Sequence, residues 1–362
     1  LMSIRPNAQG GRPLRRVLKS ALLFLPLAVL VGLVNVLVDP ASLFRRDYEY
    51  EAARIVTSGQ NASQLKNMDD RAFQKDCAQL LAQAPDTLVL GSSRCMQLTA
   101  AGLECPGLFN GGVTNGDLRD MISLYELYKS LGKQPRRVIL MTDYCLFNPA
   151  KLDGRAYTEG YAAFARRTGT QELKTSRSTE KWKQLLSPVY FQTSIRFLAS
   201  GGGNTIVPTL EPETDSDMRR ADGSFSYGPA LRNMTDEEKL QFSQESAQHI
   251  AFYVGEYQPV SPVLRQQFEL FVDELQADGV TVVFQLPPLN PSMYAAMQQD
   301  ADFSQLLALE EYFTAFAQGR GIGVFGSYDA EALGLTCTDF YDALHCSLEA
   351  TNAYLPAWLK NA

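Results

Sequence analysis

Residues 87–94, Thr87-Leu88-Val89-Leu90-Gly91-Ser92-Ser93-Arg94, form a short β-rich run that ends in a turn of small residues. A run bounded in this way reads as a buried strand followed by a βα turn. Working outward, further short runs occur at 108–113 and 137–142, with a helical stretch at 117–131 between them. Ser261 and Pro262 then open a helix as N-cap and first helical residue. Gly279 closes that helix after Val263, Phe268, Phe271 and Leu275 have marked its apolar face. A strand over 280–286 stops at Pro287-Pro288, and a helix is expected from about 291 to 317. A last short strand at 321–326 and a last helix at 348–355 complete the pattern. Alternation of this kind predicts an α/β fold with a parallel sheet covered by helices.

The alternation breaks between about 148 and 259, where Gly-rich, Pro-containing and acidic sequence replaces it, and this reads as a mid-chain insertion. Within it, 186–198 and 236–255 have helical character, and Arg220-Ala221-Asp222-Gly223-Ser224 reads as a turn. Before the first strand, residues 39–83 read as a polar lead-in, or stalk, ahead of a main domain at 84–362.

Residues 21–38 carry no charge over 18 positions, close to the length of a bilayer-spanning helix. Arg5, Arg12, Arg15, Arg16 and Lys19 precede this run with no acid among residues 1–38. A basic segment before an apolar run places residues 1–20 in the cytoplasm and exports the rest. A cleaved signal peptide is the competing reading. The net charge is −7, and removing those five positive charges leaves −12 for the remainder. An acidic body argues against nucleic acid as a partner.

Six cysteines form an even set, which in an exported protein is compatible with disulfides; Cys95 with Cys105 and Cys337 with Cys346 are the short-loop pairings, and small buried thiols are the alternative. There is no CxxC, and with two histidines in the chain neither a metal site nor a cofactor is indicated.

Ser93 and the pair Asp342 and His345 carry the chemistry. A serine hydroxyl becomes a nucleophile when an imidazole takes its proton and a carboxylate fixes that imidazole's tautomer. His345 has an acid three residues before it, whereas His249 lies in a polar stretch and reads as a helix-surface residue. Taken alone, Gly-Ser-Ser after a strand is a βα turn with a Ser N-cap. Ser93 and His345 both lie beyond the carboxyl ends of expected parallel strands, where open α/β sheets bind ligands, and together with Asp342 they point to a catalytic triad.

These segments resemble the blocks of the SGNH (GDSL-like) hydrolase superfamily. Gly91-Ser92-Ser93 is similar to its first block and Asp342-Ala343-Leu344-His345 to its last; Asn110 to Gly116 approximates the second. The third block, Gly-x-Asn-Asp in form, is not kept, because the strand at 137–142 runs on into Asp143-Tyr144, so the asparagine that helps hold the oxyanion in many members of that superfamily is missing. A Gly-Ser-Ser-Arg block behind one N-terminal anchor is similar to the bacterial cell-envelope branch, which includes the teichoic-acid D-alanylation and the alginate and peptidoglycan O-acetylation proteins. The resemblance implies a three-layer α/β/α flavodoxin-like fold and a serine esterase or O-acyltransferase facing outward from the cytoplasmic membrane. Its substrate would be the acetyl or D-alanyl esters of a cell-wall or capsular polymer, and its partner a membrane-bound O-acyltransferase. Gly116, Asn115 and the Ser93 amide become candidate oxyanion donors; Arg94 either contacts a substrate anion or packs the turn, and Asp143 is a candidate substrate contact. The altered third block leaves open a non-catalytic protein that binds glycan or scaffolds the acyltransferase, with Tyr227 and other insertion aromatics stacking on sugars.

Overall fold

The computed structural model describes residues 11–39, 47–156, 158–175, 180–199 and 205–360, with side chains at 11–23 and 180–181 excepted. The described residues fall into two units, one drawn from 47–177 and 205–362 and the other from 1–46 and 178–204.

The larger unit holds nine strands: β1 (Asn61–Ser63), β2 (Thr87–Leu90), β3 (Leu108–Asn110), β4 (Arg137–Met141), β5 (Val207–Thr209), β6 (Met218–Arg219), β7 (Phe225–Ser226), β8 (Thr281–Leu286) and β9 (Gly323–Gly326). Five of them form one sheet in the order β3-β2-β4-β8-β9, parallel at every pairing, so the α/β expectation holds. The winding reverses between β2 and β4, and such a reversal opens a crevice at the carboxyl ends of the two strands. Ser93 follows β2 directly.

Side chains alternate across the sheet, as strand geometry requires. Leu88, Leu90, Val138, Leu140, Val282 and Phe284 enter one core, and Val89, Ile139, Met141, Val283 and Phe325 enter the other. The first face is covered by full helices, among them Leu118–Ser130, Pro262–Ala277 and Leu309–Gln318, through Ile122, Tyr125, Phe268, Phe271 and Phe313. Phe268 and Phe313 meet edge to face at 5.3 Å, and each fully buried Phe contributes roughly 1.5–3 kcal/mol. The second face is covered by shorter pieces: Leu98 and Leu103 from the segment after Ser93, and Leu355 and Leu359 near the C-terminal end of the description.

Local chemistry explains where the element boundaries fall. Ser261 caps its helix by accepting from the Leu264 amide at 3.3 Å, and Gly279 takes a φ of +78° beyond the end. The single helix expected over 291–317 is instead Pro291–Gln299, Phe303–Leu307 and Leu309–Gln318. Asp300 breaks it, since its carboxylate accepts from the Asp302 and Phe303 amides and restarts the chain as a new helix. The strand at 108 ends early because the Asn110 amide donates to the Asp222 carbonyl and its side chain to the Cys95 and Leu98 carbonyls.

β5, β1, β6 and β7 make a second, antiparallel sheet in that order. It joins one strand of the lead-in to three of the insertion. The expected turn at 220–224 closes the β6–β7 hairpin, with Gly223 at a φ of +78°.

The other unit contains the helices Gly11–Val38, Glu180–Gln184 and Pro188–Ala199. The apolar run at 21–38 lies on the first of these. Among the described residues no helix is long and apolar enough to cross a membrane; the side chains of this one are described from Phe24. The basic residues before the run have side chains outside the described residues. All six cysteines are free, so neither expected short-loop pairing is formed. The Cys95 thiol instead donates to the Ser92 carbonyl at 3.1 Å, and Cys337 meets the Ser292 hydroxyl at 3.4 Å.

Gly91 is required where β2 gives way to the turn. A Cβ there would lie 2.6 Å from Met141 Cβ and 2.9 Å from Cys95 Sγ, closer than side chains pack. Gly91→Ala is therefore expected to lower the unfolding free energy by about 1–3 kcal/mol, read by urea denaturation.

Candidate active site

Beyond β2, Ser92 accepts from the Arg94 amide, and residues Ser93–Cys95 wind into one 3-10 turn that leaves Ser93 half-buried. Its Oγ lies 2.7 Å from His345 Nε2. On the far side of the ring, His345 Nδ1 is 2.7 Å from Asp342 Oδ2 and 2.9 Å from Oδ1. The three residues chosen from sequence thus come together in the order nucleophile, base and orienting acid, across a separation of 252 positions between Ser93 and His345.

The acid and base sit on a self-capped loop. Phe340 and Cys346 form an isolated bridge, and the Tyr341 amide donates to the His345 carbonyl at 2.8 Å. Asp342 Oδ1 accepts from the Leu344 and His345 amides at 2.7 and 2.8 Å. Burial alone would push the Asp342 carboxyl up, but the His345 ring and these two amides outweigh it and hold it below the usual carboxylate range. The carboxylate therefore stays ionised, as an acid that orients an imidazolium must.

Arg94 is not at the surface to meet a substrate. Its side chain is 3% exposed and paired with Asp143 at 2.5 Å, and it donates to the carbonyls of Pro287, Pro288 and Leu344 at 2.8, 2.9 and 3.3 Å. The guanidinium also lies 5.0 Å above the Tyr144 ring. Burial opposes its charge, but Asp143 and its neighbours outweigh that and raise its pKa further. Both Arg94 and Asp143 are thus interior residues that join the ends of β2, β4 and β8 to the His345 loop. For Arg94 this is the turn-packing alternative, and Asp143, expected as a substrate contact, is instead its buried partner: all of this polarity is turned inward.

The second block differs from expectation in a similar way. The Gly116 amide donates to the Val113 carbonyl at 3.0 Å and is committed to that turn. A Cβ on Gly116 would stand 2.6 Å from the Gly91 carbonyl, so its role is to allow close approach to the β2 end. Asn115 is exposed at a φ of +52°, its carbonyl accepting from Arg71. The Gly116 amide is thus held within its turn, and the Ser93 amide at the head of the 3-10 turn is a further candidate donor.

One wall of the site comes from the insertion. The Tyr227 ring lies 5.9 Å from the His345 ring and 5.1 Å from that of Tyr341. Burial, followed by the Asp342 charge, raises the Tyr227 phenol well above its ordinary value. The β6–β7 hairpin that carries Tyr227 is fixed to the segment after the nucleophile. The Phe225 amide donates to the Met96 carbonyl at 2.9 Å, and the Ala100 amide to Asp222 at 2.7 Å. Arg219, fully buried, pairs with Asp70 at 2.5 Å and lies 5.3 Å from the rings of both Phe73 and Phe225. Tyr227 had a sequence signal only as one insertion aromatic among several. His249 begins the short helix Ile250–Val254, apart from these residues.

These features define an α/β protein with a serine, histidine and aspartate in hydrogen-bonded series at a sheet switch point. No family model matches the chain, and neither the curated proteins nor the solved structures contain a match to it.

Two consequences can be measured. Arg94→Ala leaves Asp143 buried without its partner and is expected to destabilise the fold by about 3–5 kcal/mol. Arg94→Lys keeps the charge but not the fork of carbonyl bonds, so it should fold while losing most of the reactivity of Ser93, read by unfolding and by serine labelling of the same sample. For Asp342, a folded pKa below the unfolded one adds stability above the usual carboxylate range, and that stability is lost as pH falls through the folded value. The stability gap between wild type and Asp342→Asn should accordingly be widest near neutral pH and shrink towards acid, measured by urea unfolding across a pH series.

Proposed function

We propose that this chain is a membrane-anchored, outward-facing serine esterase or O-acyltransferase of the SGNH type. Its substrates in this reading are acetyl or D-alanyl esters of a cell-wall or capsular polymer. The observation that carries the reading is the 2.7 Å contact of Ser93 Oγ with His345 Nε2, continued by the Asp342 contact at Nδ1. The sheet order supports it, since counting only its own strands along the chain gives 2-1-3-4-5, the flavodoxin-like order.

In the proposed reaction Ser93 Oγ attacks the ester carbonyl carbon as its proton passes to His345 Nε2. Asp342 stabilises the imidazolium that forms. Collapse of the tetrahedral intermediate breaks the bond to the alcohol oxygen, which leaves with the proton from His345, and Ser93 remains acylated. Water or a sugar hydroxyl then gives its proton to His345, attacks the acyl-serine carbonyl and releases Ser93. Tyr227 over His345 limits water on that side, which favours transfer to a bound hydroxyl. A membrane-bound O-acyltransferase as the source or recipient of the acyl group belongs to this proposal through the resemblance alone.

A second reading has its own observation. The position where relatives are expected to supply an asparagine is here Asp143, tied to Arg94, and the Gly116 amide is held within its turn. That pattern favours a binding or scaffolding protein that keeps the fold without the turnover. The two readings divide on whether Ser93 reacts. With a fluorophosphonate probe, the enzyme reading expects one adduct on Ser93 by intact mass and peptide mapping, absent in Ser93→Ala and in His345→Ala. Turnover of an aryl acetate should fall by roughly 10⁴-fold or more in either variant, because triad members act as a unit. A folded protein that takes no probe would leave the scaffolding reading.

A further inference from the structure

The smaller unit is built with its polarity reversed. In the helix Gly11–Val38, Phe24, Leu27, Leu30 and Leu37 are 53–68% exposed, while Asn35, the one polar side chain among the described residues 24–38, is wholly buried. The helix Pro188–Ala199 beside it repeats the inward polar pair, although its exposed positions also include the polar Gln192, Thr193 and Arg196. Val189 and Leu198 are 72% and 53% exposed, whereas Tyr190 and Ser194, four residues apart, face inward. Just before it, Trp182 and Leu186 are 58% and 60% exposed.

The inward polar groups satisfy one another. Asn35 Nδ2 donates to the carbonyls of Gln184, Leu185 and Ser187 at 2.9, 3.0 and 3.3 Å, the first and last of which also accept from the Ser187 and Phe191 amides. The Ser194 hydroxyl lies 3.4 Å from Asn35 Oδ1, and the Tyr190 hydroxyl donates to Asp39 at 2.7 Å. In water, a helix pair buries its apolar stripe and solvates its polar one. In hydrocarbon the preference inverts, because an unpaired polar group is costly there and an exposed leucine is not. The larger unit follows the first rule, with Phe73, Phe268 and Phe271 fully buried.

We infer that residues 182–199 are a second membrane-contacting element, sunk in the lipid against the N-terminal helix, and that their partner is the acyl-chain region of the bilayer. The inference rests on the anchored location proposed above, though not on the chemistry of Ser93. The helix Pro188–Ala199 has 12 residues, about 18 Å of rise. Against a hydrocarbon core of about 30 Å it enters without crossing. The break between Gln184 and Pro188 would leave the Leu185 carbonyl open in lipid; Asn35 supplies its donor and adds a second one to the Gln184 and Ser187 carbonyls. Trp182 and Arg196 have the amphipathic ends that settle at a membrane interface.

The chain contains two tryptophans, Trp182 and Trp358, and Trp358 lies in the larger unit. Full-length Trp358→Phe, reconstituted in phosphatidylethanolamine and phosphatidylglycerol vesicles, therefore reports on Trp182 alone. The floated protein should lose most of its tryptophan emission when the lipids carry bromine along the acyl chains, and that emission should be blue-shifted in unbrominated vesicles. Adding Val189→Asp and Leu198→Asp should restore emission in brominated vesicles while the protein still floats. Floated protein whose Trp182 is unquenched by brominated acyl chains would overturn the inference and leave the anchor standing. Folded protein that does not float would remove the anchored location and the inference with it.

Discussion

The Arg94 guanidinium is the constraint on which the site depends. It follows the nucleophile directly in sequence, yet its contacts are the Asp143 carboxylate beyond β4, the Pro287 and Pro288 carbonyls beyond β8, and the Leu344 carbonyl beside His345. One planar, permanently charged group therefore sets the mutual positions of three strand ends and the loop that carries the base. A lysine has the charge but not the fixed fork of donors. A buried ion pair is weak evidence of stability, since desolvation offsets most of its attraction. Its value here is geometric: with Asp143 and the three carbonyls satisfied, the approach of Ser93 to His345 is the arrangement in which none of these buried groups lacks a partner.

That account also explains the altered third block. A carboxylate at 143 would be poorly placed beside a developing oxyanion if it faced the substrate. Turned inward and neutralised by Arg94, it adds little negative potential to the catalytic side. No side-chain amide stands at 143, so the backbone N–H groups near Ser93 are the candidate donors for the proposed oxyanion. In that proposal the chemistry would rest on how the 3-10 turn aims those amides, and Gly91 and the thiol of Cys95 packed against it bear directly on that aim.

Much of this was legible in the sequence, and the parts that were not share a physical cause. β2, β4 and β8 announce themselves because strands buried on both faces are apolar throughout, and Ser261, Pro262 and Gly279 mark helix ends through capping chemistry that is local. The convergence of Ser93, His345 and Asp342 was legible because two histidines left few candidates and the expected strand ends placed the rest. Asp300 was missed as a helix break because its capping is visible only once the Asp302 and Phe303 amides are in place. The second sheet was missed because strands of two or three residues carry no period, and because β1 pairs with β5 and β6 from far along the chain. The sequence leaves Arg94 open between a substrate contact and packing of the turn and suggests a substrate contact for Asp143, because charge in sequence suggests solvent. Nothing local shows that each would find the other inside.

The two units bury polar groups by opposite logics, and the difference separates solvent from fold as a cause. In the larger one, buried charges such as Arg94 and Arg219 are minority members of an apolar core, held by carboxylates and carbonyls. Among the described side chains of the smaller one the buried set is itself polar, Asn35, Asp39, Tyr190 and Ser194, and large apolar side chains face out together with Lys183, Gln192, Thr193 and Arg196. Hydrophobicity read along the sequence marks both regions alike as apolar, and it flags residues 21–38 only by the length of the run. The direction in which the few polar residues turn is what distinguishes a surface made for water from one made for hydrocarbon. Asn35, which weakens the apolar run when read as sequence, is the residue whose contacts tie 184–187 to it.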